Sequence, residues 1–130
     1  MKNASLSVLF GLTLILVLAA SMAKAQAGID LKNNTPQQRA QKQTGLMKEK
    51  LQLDSTQTGQ VQAINLKYAL QMEPVIKSQD SKLSRLKQAK AVQKMKEAEL
   101  KEVLIPDQFQ KYQAFKAEMR ELAREKAGKR

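Results

Sequence analysis

Leu53-Asp54-Ser55-Thr56-Gln57 and Leu104-Ile105-Pro106-Asp107-Gln108 repeat one pattern, a leucine followed four residues later by a glutamine at the start of a helix. Apolar residues recur at matching distances beyond each copy: Val61, Ile64 and Tyr68 after Leu53, and Tyr112, Phe115 and Met119 after Leu104. Each copy therefore predicts a helix entry leading into an amphipathic helix. With Asp54 as N-cap, its carboxylate accepts from the backbone of the first turn, and Gln57 at N3 reaches back to the cap's own N–H. In the second copy Pro106 falls at N1, where its missing N–H costs nothing, and Leu104 faces Phe109 as a hydrophobic staple. Ile105 stands at the cap position with no acceptor to offer, which forgoes about 1 kcal/mol of capping unless Asp107 or water compensates.

A third start with the same logic is Thr35-Pro36-Gln37-Gln38. It opens a helix from Pro36 to about Leu51, with Ala40, Thr44, Met47 and Leu51 on one face and Gly45 as a weak point. The second helix begins at Ser55 and carries Val61, Ile64, Tyr68, Met72 and Val75 on one stripe. Pro74 predicts a kink or a break in it. Beyond Ser78-Gln79-Asp80-Ser81 the helical pattern resumes through Leu86, Ala89, Val92, Leu100, Val103 and Leu104. Were these two helices nearly continuous, they would form a rod of roughly 75 Å. The fourth, Pro106 to about Ala127, carries Phe109, Tyr112, Phe115, Met119 and Leu122, and Gly128 suits its stop. No stretch alternates with a period of two over a strand's length. The expected fold is all-α, four helices in an elongated, curved antiparallel hairpin-like bundle. So thin a bundle buries little core alone, so a homodimer is expected.

The expected organisation is a signal peptide over residues 1–27, a flexible lead-in over 28–34, one helical domain over 35–127 and a basic tail over 128–130. Lys2 opens an uncharged run from Asn3 to Ala23, followed by Ala23-Lys24-Ala25 and Ala25-Gln26-Ala27, either of which suits cleavage after its last alanine. Export to the periplasm with cleavage after Ala25 or Ala27 is the leading reading, and an uncleaved membrane anchor is the alternative. A lipoprotein anchor is excluded, because no cysteine follows the run.

The 130-residue chain has no cysteine and no histidine and carries a formal charge of +11. Disulfides, thiolate ligands and thiol nucleophiles are therefore excluded, and the commonest metal ligand and general base are missing together. No nucleophile–base pair, phosphate-cradling glycine loop or dense acidic group is visible, so no enzyme activity, cofactor or metal site is expected. Basic residues slightly outnumber acidic ones from Asp30 to Asp80 and do so two to one from Ser81 onward. That second half favours acidic partners through attraction that falls with salt, and weak contact with an anionic membrane surface. Nucleic acid is set aside, because no reading motif and no aromatics interleaved with the lysines accompany the charge.

Three constellations stand out. Lys87, Lys90, Lys94 and Lys101 form a stripe on the third helix beside Leu86, a surface able to attract an unfolded chain and hold its apolar side chains; a solvated lysine edge has the same sequence. Glu97 lies in that stripe. Glu97, Glu99 and Glu102 cluster, and ordinary helix-surface pairing explains them, with Lys94 and Lys96 three residues before Glu97 and Glu99 and Glu97 with Lys101 at i,i+4. Met47, Met72, Met95 and Met119 suit an adaptable binding surface, or gap-filling in a thin helical core.

With its export signal, basic helical chain and two Leu-x-x-x-Gln helix starts, the sequence resembles the periplasmic Spy/CpxP-like family, known for a Leu-Thr-x-x-Gln motif. The resemblance runs from about Thr35 to Glu125 and rests on Leu53 with Gln57 and Leu104 with Gln108. The cap positions depart from threonine: Asp54 is a chemical equivalent, and Ile105 is not. The resemblance implies long antiparallel helices forming a curved, often dimeric cradle, and one of two roles. Spy-like members are ATP-independent chaperones, whereas CpxP-like members dampen an envelope-stress sensor kinase. The ligand-bearing segments of metal-sensing relatives are lacking. The expected function is a chaperone-like protein that binds partly unfolded envelope proteins; the alternative is a regulatory module that docks on the sensory domain of such a kinase. Motifs of this kind bear on fold more than on function.

Overall fold

A computed structural model describes residues 33–129, and the predicted signal peptide lies outside them. Four α-helices follow one another: α1 Pro36–Leu51, α2 Ser55–Lys77, α3 Lys82–Val103 and α4 Pro106–Gly128. Among the described residues there is no strand, so the protein is an all-α bundle, as its periodicity predicts.

Local chemistry sets the helix starts. Thr35 Oγ1 accepts from the Gln38 N–H at 3.2 Å, and Gln38 Oε1 accepts from the Thr35 N–H at 2.9 Å. Asp54 and Gln57 close the same reciprocal box at 2.7 and 3.2 Å. Ser81 caps α3, its hydroxyl accepting from the Ser84 N–H at 3.2 Å. At α4 only half a box exists: Gln108 Oε1 accepts from the Ile105 N–H at 3.2 Å, and isoleucine returns nothing. Asp107 does not compensate, because its carboxylate pairs with Lys111 at 3.0 Å.

Two ends depart from simple expectation. Pro74 does not break α2, which continues to Lys77; the proline sits in the last turn, where it frees only the Leu70 carbonyl on an exposed part of the helix. At the end of α1 the chain turns through Gln52 in the left-handed region, φ 54°, and the Leu53 N–H bonds back to the Lys48 carbonyl at 3.1 Å. This closure is usually given to glycine.

Helices α1 and α2 are antiparallel, with Arg39 beside Glu73 at one end and Thr44 beside Asn65 nearer the other. Helix α3 folds back along α2, so the two do not continue into a rod. Helix α4 crosses the end of this three-helix layer, packing on α1 more than on α3. The core lies where all four meet: Met47, Leu51, Val61, Ile64, Tyr68, Leu100, Leu104, Tyr112 and Phe115 are buried together with Leu46 and Leu53. Each such aliphatic side chain contributes about 1.5–3 kcal/mol by leaving water. Away from that junction the first turns of α3 have little to cover them. Leu86, placed on the core stripe by periodicity, is 50 % exposed.

Candidate functional site

The motif residues meet in space. Leu53 and Leu104 are buried, and Gln57 and Gln108 lie against each other at the junction of the four helices. Gln57 Nε2 donates to the Val103 carbonyl at the end of α3, and Gln108 Nε2 donates to the Leu51 carbonyl at the end of α1. The glutamines thus satisfy carbonyls that a helix end leaves without intrahelical donors. Their role is to hold the fold.

Glu97 and Glu99 are spoken for, but not as i,i+3 and i,i+4 spacing predicts, and Glu102 is exposed. Glu97 pairs with Lys116 of α4 rather than Lys101, and also accepts from Gln93 at 3.2 Å. Glu99 takes Lys67 and the Tyr68 hydroxyl of α2 rather than Lys96. Both partners come from neighbouring helices, because half-buried positions facing another helix are reached more readily across the interface than along the surface. Among the described residues no group of acidic side chains is placed to hold a metal ion. Likewise, no described helix is long and apolar enough to cross a membrane.

Lys87, Lys90, Lys94 and Lys101 are all exposed, and among the described residues no ion pair engages them. At 100° per residue they fall with Leu83 and Leu86 inside an arc of about 100°. Leu83 is 62 % exposed, more than any other large apolar side chain described, and lies in the middle of that arc. Met95 is also exposed but lies about 80° outside that arc, whereas Met47, Met72 and Met119 are buried or half-buried toward the core. The face is therefore cationic with uncovered leucines among the charges. Glu97, bound to Lys116, subtracts from it only near α4.

A second feature went unread in the sequence. Lys96 is 5 % exposed and lines a cleft of ≈ 150 Å³ between α1, α2 and α3. Its Nζ donates to Gln43 Oε1 at 2.8 Å, a neutral acceptor. Burial pushes its pKa down to about 8, against a smaller opposing pull from Glu97. Arg39, also 5 % exposed, lines the same cleft, with its guanidinium on Glu73 and on the Ala69 and Asn34 carbonyls. The signal was present: Lys96 lies four residues from both Val92 and Leu100, in the gap of the apolar stripe.

Over residues 23–112 the sequence matches the family described as a domain of unknown function, DUF4890. The chain belongs to this family. No curated protein and no solved structure matches it. The DUF4890 match takes in α1, α2 and α3 whole and α4 as far as Tyr112. Within it lie the Gln57–Gln108 contact, the lysine face and the Lys96 cleft.

Proposed function

We propose that this DUF4890 chain is a periplasmic, ATP-independent, chaperone-like protein that binds partly unfolded envelope proteins during envelope stress. The observation that carries the reading is the α3 face, where Leu83 and Leu86 are 62 % and 50 % exposed among four unpaired lysines. Long-range attraction brings an acidic, partly unfolded chain to such a face, and the leucines then give its apolar side chains somewhere to leave water. Contacts of this kind need no shape complementarity, which suits many clients. The motif likeness to the Spy/CpxP-like family, with Gln57 and Gln108 at paired helix starts, supports the same reading, as does the apolar leader with its alanine sites. A homodimer joined through apolar faces belongs to the proposal.

The test is light scattering from an unfolding client, without nucleotide, with and without the purified protein. Suppression near stoichiometric ratio is expected, weakening as salt rises and weakening again in a Leu83→Ser/Leu86→Ser variant. A folded, helical protein that leaves aggregation unchanged sinks the reading. A defined 1:1 complex with the sensory domain of a stress kinase, together with indifference to unfolded clients, would replace it with the docking role.

A further inference from the structure

The cleft between α1, α2 and α3 is unlike the α3 face in every respect: it is small, recessed and lined by two cations that are 5 % exposed. Arg39 is neutralised by Glu73. Among the described residues Lys96 has no carboxylate within ion-pair distance; its donor rests on the Gln43 amide oxygen alone. A buried cation without a counter-ion is costly to the fold, and the stripe position it occupies would accept methionine or leucine. The rest of the lining is Tyr68, Ala69, Met72 and Val92 with the amides of Gln43 and Gln93. An apolar wall thus faces a cation that lacks its anion.

We propose that this cleft is a receptor site for a small carboxylate anion with a compact apolar body. The carboxylate sits on the Lys96 ammonium, and the body lies against Met72, Val92 and Ala69. A cavity of ≈ 150 Å³ matches in volume one that accommodates benzene, so the body holds about six carbon atoms. Other charges around Lys96 are already committed. Arg39 of α1 is held by Glu73, Tyr68 of α2 donates to Glu99, and Glu97 on its own helix is held by Lys116 of α4, with Arg120 of α4 also acting on it; Tyr112 of α4 accepts from Gln93 through its hydroxyl. An arriving anion therefore finds one uncompensated charge. The site is independent of client binding on α3, which uses other residues.

Benzoate, hexanoate and benzamide are the probes, titrated into the purified protein by calorimetry and followed in amide and methyl spectra. Benzoate and hexanoate are expected to bind in about the millimolar range that so few atoms allow, shifting the Met72 methyl and the Ala69 and Val92 signals. Uncharged benzamide is expected to bind at least about tenfold more weakly, having lost the charge-assisted bond. Lys96→Met is expected to abolish the preference for the anion while keeping the fold. Near pH 8 binding should take up roughly half a proton per ligand, read from titrations in buffers of different ionisation heat, and at pH 6 none. Equal binding of benzoate and benzamide, an unchanged preference in Lys96→Met, shifts confined to the α3 lysine face, or no shift at all overturns the proposal. Inorganic phosphate or chloride binding as well as benzoate overturns the apolar-body part of it.

Discussion

The side-chain amides of Gln57 and Gln108, 51 residues apart in sequence, bond to each other in both directions, at 2.7 and 3.1 Å. Each carbonyl oxygen also accepts from its own cap residue's N–H, and each amide also donates to the last carbonyl of the helix that precedes the other glutamine's motif, Gln57 to Val103 and Gln108 to Leu51. Both donors and both acceptor sites of each glutamine are thereby used. A glutamate would close the capping box equally well but would bring no donor, and two would repel. This explains why the repeated motif ends in an amide.

The pair gives a direct stability prediction. Gln108, 7 % exposed, costs about 2–3 kcal/mol when changed to alanine, because the Leu51 carbonyl and the Gln57 amide lose their partner. Gln57→Ala costs about 1–2 kcal/mol, and the double variant less than the sum by at least about 0.5 kcal/mol. Urea unfolding followed by circular dichroism reads all three. Strict additivity would show that the two amides do not work as a unit.

Gln52 offers a gain instead of a loss. It is exposed and alone among the described non-glycine residues in having positive φ, 54°. Glycine adopts that conformation without the steric cost a Cβ brings, so Gln52→Gly is expected to raise stability by about 0.5–1 kcal/mol and Gln52→Ala to leave it unchanged or lower. Melting temperatures of the two variants decide it; a loss in Gln52→Gly would mean that the glutamine side chain or unfolded-chain entropy dominates.

What the sequence discloses follows the range of the interactions. Thr35, Asp54 and the prolines at 36 and 106 act on their own first turns, so the starts of α1, α2 and α4 were readable residue by residue. The buried faces of α1 and α4 followed from periodicity. The mutual contact of Gln57 and Gln108 was not readable, since it depends on how α4 crosses the ends of α1 and α3. Glu97 and Glu99 were misassigned for the same reason: local spacing offers lysines on α3, whereas tertiary packing supplies Lys116 and Lys67. Lys96 is hidden for a different reason, because its charge and its position point opposite ways. Periodicity placed it inside, and its chemistry argued for outside.

The acid limb of stability follows from three carboxylates held below the usual value near 4.5. Glu73 is held down by Arg39 and then Lys77, and Glu99 by Lys67 and then Tyr68. At Glu97 burial pushes upward, and the bonds from Lys116 and Gln93 outweigh it. A depressed folded-state pKa means stability that is present above about pH 4.5 and lost as the pH falls through the folded values. The urea midpoint is expected to fall between pH 5 and 3, and Glu97→Gln to make that fall shallower. A midpoint independent of pH across this range would refute the ion pairs as contributors.

The alkaline limb runs the other way at first, and Lys96 is the reason. Its ordinary value of 10.5 is lowered to about 8 by burial, so between these values the unfolded chain holds a proton that the folded one has released. Stability therefore rises with pH from about 8 toward 10. Above 10 the phenols reverse it: Tyr112 is pushed up to about 12 by burial and Tyr68 is raised by its bond to Glu99, so the folded chain keeps protons the unfolded chain has lost. Lys67, raised by Glu99, adds to the fall. The expected profile is a maximum near pH 10. Lys96→Met is expected to remove the rise, keep the fall and raise stability at pH 7 by about 2–3 kcal/mol. A wild-type midpoint that stays flat from pH 7 to 9.5, or a Lys96→Met variant less stable than wild type at neutral pH, would show that the lysine meets a compensating charge in the fold.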